Sequence, residues 1–336
     1  MKKEASFWEK LEDSKVKCNL CNHNCRIKNG DVGICGVRKN EEGRLFSLIY
    51  GSCSSMAVDP IEKKPFYHFY PSSSVFSMGT VGCNFKCKHC QNADISTAGT
   101  DFAYMREITP EESVNLAKER GCQGIAYTYN EPGIWYEFTL DSARLAKENG
   151  LYTCYVTNGY MSKEPLEEIS VFLDAMNIDV KAFTEDFYKK VCKARLKPVL
   201  ETCVLAKKLG IHIELTYLVI PGYNDSLDEI EKFCMWVVEN LDEDVPVHFS
   251  RFHPDHDMLD VAATPMATMK NVYDTAMKSG LKFVYLGNVP SGDYENTFCP
   301  NCGNLCIERS YFDVKLKGLD KNKCSKCGNT LPFIRS

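Results

Sequence analysis

Three cysteines in the segment CNFKCKHC, Cys83, Cys87 and Cys90, stand at Cys-x3-Cys-x2-Cys spacing directly after a β-rich run. Three soft thiolates on one loop can ligate three irons of a cubane cluster and leave the fourth iron open to a non-protein ligand, because no fourth cysteine lies nearby in sequence. A zinc site is the other reading, but His89 is too close to Cys90 to complete its tetrahedron easily. Near the carboxyl end, CPNCG and CSKCG place Cys299 and Cys302, then Cys324 and Cys327, in two Cys-x2-Cys-Gly knuckles 21 residues apart. Two such turns give four thiolates a tetrahedral arrangement, the zinc-ribbon signature, with a second iron–sulfur centre as the alternative. Cys306 reads as a bystander. A third group, Cys18-x2-Cys21-x3-Cys25-x9-Cys35, lies in a Gly- and Asn-rich stretch with little apolar content, so that a bound metal would supply much of its order. Zinc, which would be scaffold, and an auxiliary cluster, which could relay electrons, are both open there.

These clusters hold most of the 18 cysteines in the chain of 336 residues, and several of the others sit in apolar runs where a thiol behaves as a small hydrophobe. Close Cys-x2-Cys pairs without an export signal point to metal or redox centres in a reducing compartment. The start MKKEASFWEKLEDSK has no apolar stretch behind its charges and no run of 18 apolar residues appears anywhere, so a secreted or membrane protein is not expected and the cytoplasm is. Hydrophobic residues make up 44% of the chain, enough for one large core, and 40 Lys and Arg against 45 Asp and Glu give a net charge of −5. Bulk charge therefore supplies no attraction to phosphates, and a nucleic-acid partner is not expected. The seven basic residues between positions 308 and 336 read as a solvated face.

The loop of Cys83 needs a frame. From about residue 75 to 290, short apolar β-rich runs alternate with helical patterns: SVFSMGT, QGIAYTY, LYTCYVT, DAMNIDVKAF, IHIELTYLVI, VPVHFSRF and LKFVYLGNV are the strands. Thr109, Pro110 and two glutamates start the first helix and Gly121 stops it. Alternation with short connections implies a parallel sheet covered on both faces, either an open doubly wound sheet or a full or partial barrel. In both, the carboxyl ends of the strands converge on one mouth. Those ends read TVGCNFKCKHCQN, TYNEP, TNG, DVK, PGYND and RFHP, each carrying Asn, Asp, Glu, Lys or His. Asp179 and Lys181 alternate along one strand and so share a face, where two charges are costly unless paired or bound to a ligand. DPIEKKPFYHFYP, residues 59 to 71, reads as packing over one barrel opening.

CNFKCKHC resembles the cluster-binding loop of the radical S-adenosylmethionine (SAM) superfamily, and TYNEP, DVKAF, VIPGYND, SRFHP and YLGNVP, in that order, resemble its glycyl-radical-enzyme activase branch. Within that branch the chain is most similar to the AmmeMemoRadiSam system radical SAM enzymes, and the resemblance covers most of its length. It implies an α/β fold, a partial (β/α)6 TIM-type barrel over residues 71–290, with a four-cysteine knuckle and linker over 1–70 and a zinc-ribbon-like module over 291–336. It also implies a [4Fe–4S] cluster on Cys83, Cys87 and Cys90 whose open iron is chelated by SAM, which is cleaved reductively to methionine and a 5′-deoxyadenosyl radical that takes a hydrogen atom from a substrate. His89 takes the place of the family's aromatic against adenine. Asn130 and Glu131 match the strand end that binds the SAM ammonium, Asn158 lies near the SAM tail, Lys181 meets its carboxylate with Asp179 ordering it, and His253 stands beside the ribose. Val156 replaces an acid that many activases use for a monovalent cation. The activase likeness further implies a protein substrate and a low-potential donor such as a flavodoxin or ferredoxin. RNA or small-molecule modification, and a metal scaffold or electron carrier without SAM chemistry, are the alternatives.

Overall fold

The computed structural model describes residues 1–290 and 292–334. Seven parallel strands form its centre: β1 (Ser74–Gly79), β2 (Gly124–Tyr127), β3 (Tyr152–Thr157), β4 (Ala175–Asp179), β5 (His212–Val219), β6 (Val247–Arg251) and β7 (Val284–Gly287). They lie side by side in chain order, and an antiparallel strand, Ser55–Pro60, borders β1. Six helices cross between them: α1 (Pro110–Glu119), α2 (Tyr136–Glu148), α3 (Lys163–Ile169), α4 (Leu196–Lys208), α5 (Leu227–Asn240) and α6 (Met266–Lys278). Among the described residues no ladder joins β7 back to the bordering strand, so the sheet curls without closing. This is the partial (β/α)6 barrel expected, with a seventh strand added.

The reasons are local. β2 is buried along its whole length and β3 at five of six residues, as strands covered on both faces must be. Helix α1 starts where Thr109 accepts the Glu112 amide at 3.1 Å and Pro110 takes the first turn. A 3₁₀ turn over Pro132–Trp135, capped by Glu131, leads into α2.

Strands of two to six residues build the two ends of the chain. At the amino end they form two three-stranded sheets, around a core that includes Val16, Leu20, Ile27, Val37 and Leu45. At the carboxyl end a three-stranded sheet over 297–316 precedes the last cysteine pair. Residues 59–71 lie at the amino ends of the barrel strands. There the amides of Tyr67 and His68 donate to Glu214 of β5 at 3.0 and 2.8 Å, and Asn177 of β4 donates to the Pro65 carbonyl at 2.7 Å. The opposite end, with the cysteine loop, is left to the site.

Candidate active site

The cysteine loop leaves β1 and is pinned from three neighbouring elements. Asn130, at the end of β2, accepts the Thr80 amide at 3.1 Å and donates to the Gly82 carbonyl at 2.8 Å, so both ends of its side chain are spent on the loop's backbone. The turn after β4 offers the carbonyls of Cys192 and Val191 to the amides of Lys86 and Lys88 at 3.0 and 3.2 Å. The segment after β6 donates the Asp257 amide to the Lys88 carbonyl at 2.9 Å. With the backbone so fixed, the Phe85 amide points to the Cys83 sulfur at 3.4 Å and the Ser96 hydroxyl lies 3.1 Å from that of Cys90.

Glu131 is buried, not a solvated loop acid. Its carboxylate accepts the Gly133 amide (2.8 Å), the Thr157 hydroxyl (2.7 Å) and the Asn158 amide (2.8 Å), which ties the end of β2 to the end of β3. Burial raises its pKa, and these donors only partly offset the rise. The Asn158 side chain, set by that contact, donates to Asn84 Oδ1 at 2.8 Å and lies 3.8 Å from the Cys83 sulfur.

Lys181 sits just past the last paired residue of β4. Its ammonium meets Asp179 at 3.0 Å, its amide donates to the Tyr188 hydroxyl at 3.1 Å, and its carbonyl accepts from Asn224 at 2.7 Å. Burial works against its charge, but Asp179, Cys87 and Cys192 outweigh it and hold the pKa well above the ordinary lysine value. His89 is buried beside Phe187, with ring centroids 6.0 Å apart. Burial, and after it Lys181, push its pKa down to about 3, so the ring is neutral at pH 7. His253 is half exposed and reaches the loop through Gln91, whose amide nitrogen lies 3.2 Å from its Nε2. Gly222 has φ of +74°, a left-handed conformation that a tight turn requires, and open space where a Cβ would stand.

Three residues at this site escaped the sequence reading. Cys192 lies against Cys87, Gln91 carries the contact to His253, and Asn84 joins Cys83 to Asn158. Each acquires its place through contact between segments about 70 to 160 residues apart, so even Asn84 and Gln91, in and beside the cysteine motif, carry no mark of their partners in the sequence.

The donor sets test which groups the site can take. In the carboxyl-terminal set, the sulfurs of Cys299 and Cys327 are 3.6 Å apart and those of Cys302 and Cys324 3.7 Å, close to the roughly 3.8 Å edge of a tetrahedron with Zn–S bonds of about 2.3 Å. Among the described residues, this is the one group of three or more metal-ligating side chains whose donor atoms all lie within 4.8 Å of one another. Cys83, Cys87 and Cys90 do not contract in that way, which suits several irons better than one ion. Beside them, His89 Nδ1 is buried without a hydrogen-bond partner, a polar atom left for an incoming group. No helix is long and apolar enough to cross a membrane.

The sequence profile of the Radical SAM superfamily matches residues 78–235. An uncharacterized protein of Methanocaldococcus jannaschii is 50% identical over 334 residues, covering 99% of each chain. The chain is also similar to GTP 3′,8-cyclase of Lactiplantibacillus plantarum, at 28% identity over 68% of this chain and 74% of that one. Its likeness to pyruvate formate-lyase-activating enzyme of Clostridium pasteurianum is 24% identity over 51% of this chain and 72% of that one.

Proposed function

The chain belongs to the radical SAM superfamily, and from that premise we propose that it cleaves SAM at a [4Fe–4S] cluster held by Cys83, Cys87 and Cys90 and acts on a protein substrate. When bound, the cluster supplies an electron to the SAM sulfonium, releasing methionine and a 5′-deoxyadenosyl radical that takes a hydrogen atom from the substrate. The observation that carries the reading is the gathering of Lys181, His89, Asn158 and His253 around the three cysteines, from the ends of separate strands and loops.

The residues divide the work by what remains free to bind. Lys181 offers an ammonium to the SAM carboxylate, and Asp179 aims it. His89, neutral and with Nδ1 unpaired, offers a ring and a hydrogen-bonding atom to the adenine. His253 stands at the open side, beside the ribose. Asn130 and Glu131 spend their polar atoms on the protein itself and thus position the loop and Asn158. The carboxyl-terminal cysteines hold zinc in this reading, as a structural ion. A low-potential flavodoxin- or ferredoxin-like protein supplies the electron.

The protein substrate rests on similarity to an activating enzyme, and likeness to a GTP cyclase favours a small molecule as the second reading. Anaerobic reconstitution with iron and sulfide, then dithionite and SAM, is expected to give 5′-deoxyadenosine from wild type and none from the C83A/C87A/C90A variant. None from iron-loaded wild type, with or without cell extract, would reject the activity. Deuterated extract, divided by size, then separates the substrates. Deuterium reaching deoxyadenosine from the macromolecular fraction supports a protein, and from the small-molecule fraction alone it overturns one.

A further inference from the structure

We propose that Cys18, Cys21, Cys25 and Cys35 hold a second iron–sulfur cluster, set one side chain away from the Cys83 loop. All four line one small, largely enclosed pocket, walled by Ile27, Ile34 and Ile134. The chain carries its own comparison. The carboxyl-terminal sulfurs are drawn to single-ion spacing, whereas no three of the four amino-terminal sulfurs lie mutually within 4.8 Å. Bridging sulfides and more than one iron fill a wider set of thiolates; one zinc does not.

The position of the cavity gives it a use. Asn84 lines it and follows Cys83 directly. Its side chain interacts with the Cys21 thiol on one side, and its Oδ1 lies 3.8 Å from the Cys83 sulfur on the other. His23 Nε2 is 2.8 Å from the Asn84 carbonyl. The backbones close in as well: Gly82 has φ of +83°, and a Cβ there would stand 2.7 Å from the Cys35 carbonyl. One electron from a flavin- or iron–sulfur-type donor protein would reduce the amino-terminal cluster. Passing that electron to the Cys83 cluster returns the first to its oxidised state, and no atom or proton moves. The relay rests on the radical SAM reading; the cluster assignment does not.

The test uses the full chain, reconstituted anaerobically with iron, sulfide and equimolar zinc. The C83A/C87A/C90A variant is expected to keep iron with matching acid-labile sulfide and about one zinc per chain. About two zincs and no iron in that variant would overturn the proposal. If the variant fails to fold, wild type decides alone, since one four-iron cluster gives about four irons and a second cluster gives more. Electron paramagnetic resonance of the reduced wild type is expected to show two centres broadened by mutual spin coupling. Two uncoupled signals would overturn the adjacency. A C18S/C21S/C25S/C35S variant without iron on its remaining loop, beside a triple variant that keeps its iron, would instead reject the reading of the Cys83 site.

Discussion

Lys181 shows how much a single side chain's role depends on what fixes its backbone. Its amide and carbonyl are both hydrogen-bonded and its ammonium rests on Asp179, so little rotamer freedom remains to be lost when an anion binds. K181M is expected to leave iron loading unchanged and to weaken SAM binding by roughly tenfold or more, as loss of a charge-assisted contact does. Equal affinities in equilibrium dialysis would remove Lys181 from the SAM site. Glu131 makes a contrasting case. E131Q sets an amide NH₂ against a cluster of donors, and a loss of about 1–3 kcal/mol is expected in urea unfolding. Both residues were legible in sequence as polar groups at strand ends. That Glu131 is consumed by its own protein was not, because the Asn158 amide and the Thr157 hydroxyl reach it only when two neighbouring strands end together.

Among elements, the barrel strands were readable because burial on both faces leaves continuous apolar runs, while the amino-terminal strands were not. Segments such as Arg38–Glu41, with sequence RKNE, bury two of four residues and carry no apolar pattern. Arg38 explains why. It is 2% exposed and pairs with Glu137 of α2 at 2.6 Å, fastening the amino-terminal unit to the barrel through a buried ion pair beside the apolar core that the two share. R38M should cost about 3–5 kcal/mol by stranding the Glu137 charge, and R38M/E137Q should recover much of it. Chemical unfolding of the two variants checks both parts. On β5, burial alone would raise the pKa of Glu214, but hydrogen bonds from His212 and His248 overcome it and hold the carboxyl well below the usual range. A depressed folded pKa contributes stability that is present above the unfolded value, about 4.3, and is lost as the pH falls through the folded one. E214Q should therefore be less stable than wild type at pH 7, with the gap in urea midpoints closing below about pH 4. A gap independent of pH would mean that the charge of Glu214 is not what matters.

Across the whole molecule, the carboxyl-terminal sheet closes over the segment that plugs the amino ends of the barrel strands. Arg309, 2% exposed, donates to the Tyr67 carbonyl at 2.8 Å and to the Thr297 hydroxyl at 2.7 Å, and its guanidinium lies 4.2 Å from the centroid of the Tyr67 ring. The carboxyl-terminal sheet thus holds the segment that plugs the barrel. Stripping metal from its four cysteines, or R309A at a cost of about 2–4 kcal/mol, should quicken hydrogen exchange in residues 60–71 before residues 83–90. Uniform protection in both segments would show the plug to be independent. The sequence announced the cysteine knuckles but not this attachment, since nothing in a lone arginine names a carbonyl 242 positions away. That separation also sets an order of events during synthesis. The last barrel strand, β7, ends at Gly287, 22 residues before Arg309. At about 5–20 residues per second, a nascent barrel waits some 1–4 s on the ribosome with its floor laid but not latched. A chaperone that meets this protein would find it in that interval, with Tyr67 and its neighbours as the exposed handle.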